Sequence, residues 1–310
     1  MLPSTETLYK RILSLIDSGS LAGDEITVER DFPLKTLCSF KTGGNADLAL
    51  FPKTERALCA AVSAARECSG SYYVLGNGTN VLVPDEGYRG AVIVTAGMKK
   101  ISFDGLTVTA LCGDSVTFLA ARAGAEGLTG LEFAYGIPGS VGGGIFMNAG
   151  AYDGEMKNAV KSVRALMPDG SIREFSNAEC EFGYRRSIFA ENGAVVLSAA
   201  FELAHGDKAE IKARMDDLMN RRRTKQPLEY PSAGSTFKRY PGRYTGQMIE
   251  QCGLKGCRIG GAMVSEKHAG FIINYDNATT ADILALIDKV KSVILEKEGV
   301  PIECEVRLLK

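Results

Sequence analysis

Between Thr54 and Cys68 the apolar residues Ala57, Leu58, Ala61, Val62 and Ala65 recur at intervals of three and four. That spacing lines one face of an α-helix, and Thr54 is placed to cap its first turn. Short runs rich in β-branched and aromatic residues at 72–75, 81–83 and 91–95 predict strands. Residues 101–103 and 106–111 flank Asp104-Gly105, and the stretch 163–175 brackets Asp169-Gly170. Asp-Gly between two such runs predicts a hairpin, because glycine accepts the positive φ of the tight turn. A capped helix over 114–125 and a strand over 195–203 complete this part. After Gly206 the texture changes. A charged helix over 207–225 ends in Arg221-Arg222-Arg223 and is broken at Gln226-Pro227, where proline lacks an amide donor. Helices over 246–252 and 279–297 and strands over 271–274 and 302–309 follow. Helices and hairpins are mixed rather than strictly alternating. This predicts an α+β fold over a doubly wound parallel sheet, with a domain boundary near 204–208.

At 310 residues the chain is long enough for two or three domains. Hydrophobic residues make up 45% and charged residues 24%, an ordinary globular balance. With 36 basic and 37 acidic side chains the net charge is -1, which leaves no electrostatic case for nucleic acid or an anionic membrane surface. No run approaches the ~18 apolar residues of a spanning helix, and no secretory pattern opens the chain. A cytoplasmic location is expected. The eight cysteines are scattered, so free thiols are expected. Cys252 and Cys257, spaced C-x4-C with only His268 nearby, fall short of the four ligands of a closed zinc site. No metal is expected.

Three glycine-rich turns suit a phosphate-bearing ligand. Gly76-Asn77-Gly78-Thr79-Asn80 lies between two predicted strands, so it is not a Rossmann turn, which opens a helix. Its amides form either an anion-binding nest or a plain Asn/Gly turn. The segment from Gly136 to Gly144 holds five glycines in nine residues and runs on to Asn148. Glycine is unfavourable by roughly 0.5–1 kcal/mol against alanine inside regular elements. Such density reflects either backbone approach to a ligand or close helix–strand packing. A helix starting at Ser140 would also point its first amides at a phosphate. The third turn is Phe40-Lys41-Thr42-Gly43-Gly44. Together these turns suit a pyrophosphate cofactor; the residues alone do not say which dinucleotide.

The segments F-K-T-G-G-N-A-D (40–47), V-L-G-N-G-T-N-V-L-V (74–83) and G-I-P-G-S-V-G-G-G-I-F-M-N-A-G-A-Y (136–152) resemble the FAD-binding half of the UDP-N-acetylenolpyruvoylglucosamine reductases. F-G-Y-R-R-S (182–187), S-A-G-S-T-F-K (232–238) and E-C-E-V-R (303–307) resemble the rest, in the family's order. An N-terminal helix and lead-in is expected over 1–28, and the resemblance, which runs from about residue 29 to the end, implies an FAD-binding domain of the vanillyl-alcohol-oxidase (PCMH) type over 29–205. That domain has α+β subdomains at about 29–97 and 98–205, and a smaller α+β substrate-binding domain covers 206–310. It implies non-covalent FAD, NADPH as hydride donor, and a UDP-sugar substrate. The enolpyruvyl ether of UDP-N-acetylglucosamine would be reduced to UDP-N-acetylmuramate for peptidoglycan synthesis. The Tyr-bearing loop of the longer family type has no counterpart between Tyr240 and Gly253, which implies the shorter second type. A monomer or weak oligomer is expected.

The resemblance places cofactor contacts at Thr42, Gly43, Gly76, Asn77, Gly78, Thr79, Asn80, Gly136, Gly139, Ser140, Gly144 and Asn148. It places substrate contacts at Tyr152, Lys225, Arg239 and His268, and catalytic roles at Arg185, Ser235 and Glu305. Hydride addition to a C=C bond beside a carboxylate builds charge that a strong donor must hold, and the carbon then needs a proton. An arginine fork suits the carboxylate, and the motif favours Arg185 over its neighbour Arg186. Ser235 is the implied proton donor. A plain serine is a poor acid, so a cation such as Lys238 or Lys225 is expected beside it. Glu303, Glu305 and Arg307 share one face of the predicted final strand, either solvated or, as the family pattern implies, turned toward the site. His268 is either a ligand contact or a structural histidine. The main rival is another FAD oxidoreductase of the same fold acting on a small alcohol. Such enzymes often tether FAD to His or Cys, and neither of the two histidines here falls in an FAD motif. A second rival is a module that binds a dinucleotide without chemistry.

Overall fold

The computed structural model describes residues 2–310 and resolves into two compact units. The first comprises the residues up to 30, with 47–77 and 89–220; the second comprises 31–46, 78–88 and 221–310.

In the first unit the helix Pro3–Asp17 buries Leu8 and Ile12. Helix Glu55–Glu67 forms as its periodicity predicts: Thr54 Oγ1 accepts from the Ala57 amide at 3.1 Å, and Ala57, Leu58, Ala61, Val62 and Ala65 are buried. One sheet orders its strands as Ile26–Pro33, Asn45–Pro52, Tyr88–Val94 and Tyr72–Leu75, the last two parallel. Leu48, Ala49 and Leu50 are all fully buried, so Asn45–Pro52 reads as a continuous apolar run instead of an alternation. The larger sheet is antiparallel, in the order Ile172–Ser176, Val160–Leu166, Val195–Glu202, Thr107–Leu111, Ile101–Asp104. Both Asp-Gly turns fall where the sequence puts them, and the short helix Val141–Phe146 packs on strand Val195–Glu202. The helix expected over 114–125 starts at Val116. Ser115 caps it through the Phe118 amide, while the Asp114 carboxylate turns back to the amides of Lys100 (3.0 Å) and Leu111 (2.9 Å).

In the second unit Arg258–Ile259, Ala262–Val264 and Ile272–Asn274 form an antiparallel sheet. Helix Thr280–Glu298 begins with a reciprocal cap between Thr279 and Asp282. Its first amides, Thr280 and Ala281, also donate to the Asp85 carboxylate at 2.8 and 2.9 Å. Val81–Leu82 pairs in parallel with Arg307–Leu308. The strand expected over 302–309 is shorter than its alternation suggests. Only Arg307–Leu308 is a strand, preceded by a single bridge from Cys304 to Phe237. Ile302, Val306 and Leu309 are buried all the same, so the alternation records burial without continuous pairing. Among the described residues no helix is long and apolar enough to cross a membrane, and all eight cysteines are free.

Candidate functional site

In the first unit the glycine-rich segments meet. A Cβ on Gly76 would overlap Ser140 Oγ and come to 3.3 Å from Ser140 Cβ, and Asn77 Nδ2 donates to the Pro138 carbonyl at 3.0 Å. The helix expected to aim its N-terminus at a phosphate does not do so. It has six residues, and the amides of Val141 and Gly142 donate to the carbonyls of Asp114 and Cys112, both at 2.8 Å. Gly143 N donates to Ser140 Oγ at 3.3 Å. Close packing accounts for Gly142 and Gly144: added Cβ atoms would stand 2.9 Å from Cys112 Cβ and 3.0 Å from Met156 Cε. Gly136 to Gly139 and Gly143 keep exposed surface and remain open to a ligand.

Arg185 is the third residue of a four-residue turn closed by Gly183 N to Arg186 O (3.0 Å) and Arg186 N to Gly183 O (3.2 Å). Its φ is +54°, a position that normally favours glycine and is unfavourable by about 1–2 kcal/mol for a residue with a Cβ. Arg185 Nη2 donates to the Gly150 carbonyl at 3.1 Å, and its guanidinium lies 5.2 Å from the Tyr184 ring centre. Gly150 belongs to the hairpin Gly150–Ala151/Gly154–Glu155, whose turn residues Tyr152 and Asp153 also have positive φ. Arg186 is engaged elsewhere: it grips Glu191 at two points, Nε to Oε1 at 2.6 Å and Nη2 to Oε2 at 3.1 Å. The geometry therefore separates the two adjacent arginines, which composition alone does not. Asn148 is fully buried, and both hydrogens and the oxygen of its carboxamide have protein partners.

In the second unit a Cβ on Gly78 would overlap the Leu37 carbonyl oxygen, and the Gly78 carbonyl accepts from the Ser39 amide at 3.0 Å. Ser39 Oγ is buried without a hydrogen-bond partner. Buried polar atoms are nearly always satisfied, so this hydroxyl fits a ligand oxygen beside the glycine turn. No sequence motif marks Ser39; only its surroundings in space do. Thr42 is buried, and its hydroxyl pairs with that of Thr280 at 3.0 Å beside Gly43. Asn80 Nδ2 donates to the Glu305 carbonyl at 3.3 Å, and Arg307 N donates back to Asn80 O at 3.1 Å. Glu305 N donates to Thr236 O at 2.8 Å, which sets Glu305 beside the segment carrying Ser235. Thr79 is part of the same turn.

Of the cations expected near Ser235, Lys238 is bonded to Glu303 at 2.7 Å, and this pairing holds the Glu303 carboxyl below its usual pKa. Lys225 is exposed at the end of helix Lys208–Lys225. Arg239 stacks over Tyr244 at 5.4 Å. His268 is half-buried, and burial pulls its pKa down. Its Nδ1 accepts from the Gly270 amide at 3.1 Å, so the neutral ring carries its proton on Nε2. That leaves a neutral donor.

In the first unit the bare backbone at Gly76, and in the second unit that at Gly78 with the unsatisfied Ser39 hydroxyl, each suit a phosphate-bearing ligand. A family model described as the FAD binding domain matches residues 46–176 and places the chain among the flavoproteins, with an α+β fold of the vanillyl-alcohol-oxidase type and a C-terminal domain. A second model, the C-terminal domain of UDP-N-acetylenolpyruvoylglucosamine reductase, matches 226–309. A reductase of that name from Levilactobacillus brevis is 49% identical, covering 92% of this chain and 93% of its own length. One from Clostridioides difficile is 44% identical, covering 99% of each. The crystal structure of UDP-N-acetylenolpyruvylglucosamine reductase from Thermus caldophilus superposes with a TM-score of 0.80 at 35% identity, covering 92% of this chain and 100% of that one. The chain belongs to the UDP-N-acetylenolpyruvoylglucosamine reductase family.

Proposed function

We propose that the chain reduces the enolpyruvyl ether of UDP-N-acetylglucosamine to UDP-N-acetylmuramate in the cytoplasm, feeding peptidoglycan synthesis. The observation that carries this reading is near-full-length identity to reductases of that name. FAD, when bound, would supply hydride-transfer chemistry between NADPH and C3 of the enolpyruvyl group. The chain's own residues do the rest. Backbone at Gly76–Asn80 and Gly136–Ser140, with Thr42, Gly43 and Ser39, holds the dinucleotide. Arg185 binds the substrate carboxylate through its fork and stabilises the charge that develops there as the adjacent carbon becomes electron-rich. Ser235 delivers the proton to that carbon, and Glu305, tied beside it through Thr236, orients the donor and substrate. Tyr152, Lys225 and Arg239 bind the substrate, and His268 serves it as a neutral Nε2–H donor.

The test is anaerobic. Purified protein should be yellow, bleach on NADPH but not on simple alcohols, and recover its colour with the enolpyruvyl sugar. Bleaching of the oxidised protein by a simple alcohol, with no recovery of NADPH-bleached protein by the sugar, would overturn the reading in favour of the alcohol-oxidase rival.

A further inference from the structure

Asn148 follows the glycine-rich segment, where an asparagine invites a reading as a cofactor contact. Its side chain is otherwise engaged. Nδ2 donates to Gly183 O at 3.0 Å and to Glu155 Oε2 at 2.9 Å, and Oδ1 accepts from the Lys157 amide at 2.9 Å. Both amide hydrogens and the amide oxygen are thus bonded to protein, and the residue is 0% exposed. Its φ of +41° suits asparagine and glycine and few other residues.

The partners define the role. Gly183 opens the turn whose third residue is Arg185, and Glu155 lies in the hairpin whose Gly150 carbonyl receives the Arg185 guanidinium. One carboxamide therefore fastens both the backbone that carries Arg185 and the hairpin on which its side chain rests. A second tie, Ser187 Oγ to Phe146 O at 2.8 Å, holds the far end of the turn. Arg185 itself has an unfavourable backbone conformation, which persists only where its surroundings over-determine it.

We propose that Asn148 is a positioning residue for Arg185, setting the guanidinium where it meets the substrate carboxylate, and that its side chain makes no contact with the cofactor. This rests on the reading of Arg185 given above. Displacing a catalytic group by about 1 Å lowers rate on the order of a hundredfold.

The experiment uses Asn148→Gly, which keeps the left-handed backbone and deletes the amide. Asn148→Asp keeps the shape but turns a carboxylate toward Glu155 and the Gly183 carbonyl. FAD content and flavin bleaching by NADPH should stay within about threefold of the parent protein. Recovery of colour with the enolpyruvyl sugar should slow by about thirtyfold or more, and calorimetry should show weaker binding of UDP-N-acetylmuramate, whose carboxylate is the group Arg185 meets. In an Arg185→Ala background Asn148→Gly should add little, because the two act as one unit. Loss of FAD, equal slowing of both half-reactions, or a fully additive double variant would each overturn the proposal. Failure of both Asn148 variants to fold would assign the residue to the fold and overturn it too. If Arg185→Ala alone leaves the sugar step unchanged, the reading of Arg185 fails. If Arg185→Ala is impaired and Asn148→Gly is not, only the positioning role fails.

Discussion

Gly78→Ala measures how tightly the chain closes on the turn at 76–80. Gly78 has φ +61°, and an added Cβ would overlap the Leu37 carbonyl oxygen while coming to 3.0 Å from Cys38 Cα. Two penalties follow. A residue with a Cβ is unfavourable by about 1–2 kcal/mol in the left-handed region. The obstructing atom belongs to the backbone and cannot rotate aside, and overpacking of this kind typically destabilises by about 1–3 kcal/mol. The sum is about 2–5 kcal/mol. Gly105 supplies the control: its φ is +56°, and a Cβ there meets nothing within 4 Å, so Gly105→Ala carries the first penalty alone. Urea unfolding of flavin-stripped protein compares the two without a ligand term. Gly78→Ala should lose about 1–3 kcal/mol more than Gly105→Ala, and after reloading it should retain less FAD. Equal losses would refute the close approach at Gly78.

Ser235→Ala should leave NADPH bleaching nearly intact and slow the sugar step by about a hundredfold or more, since only the second step needs a carbon proton; equal slowing of both in stopped flow would remove Ser235 from that role. Arg185→Lys should fail mainly in the sugar step, whereas Arg186→Gln, which loses only the exposed pair with Glu191, should stay within about twofold of the parent in steady-state assays. An Arg186 defect as large as that of Arg185 would reverse the assignment. His268 has a folded pKa below its ordinary 6.5, so the folded state binds fewer protons than the unfolded chain as pH falls. Its contribution to stability is therefore complete above about pH 6.5 and lost progressively below it, and His268→Gln should flatten the unfolding midpoint on the acid side. An unchanged acid limb would show that His268 does not titrate this way.

Local signals were legible where a single segment decides its own structure. Thr54 and the apolar stripe behind it specify a capped helix, and Asp104-Gly105 and Asp169-Gly170 specify hairpins, because these choices depend on near neighbours. Strands Ile26–Pro33 and Asn45–Pro52 carry no clean alternation that would mark them as strands. Nor does any pattern announce that 31–46 and 78–88 fold with 221–310. That grouping depends on bonds such as Asn274 Nδ2 to Phe40 O at 2.9 Å, made across more than 200 residues of sequence. The site divides in the same way. Family motifs singled out Arg185, Ser235 and Glu305, but geometry was needed to show that Arg186 belongs to Glu191, that Lys238 belongs to Glu303, and that the amides after Ser140 already have partners.

The parallel pairing of Val81–Leu82 with Arg307–Leu308, extended by Leu309 N to Leu82 O at 2.9 Å, has a consequence for biosynthesis. A ribosome that has made residue 88 has already translated two pieces of the second unit, yet their partners Asn274, Thr280 and Leu309 are still 186, 192 and 221 residues from being translated. That unit can close only once residue 309 has emerged. Until then the nascent chain carries an unpaired strand and buried-to-be apolar residues in the open, the state in which holdase chaperones protect slow, long-range folds.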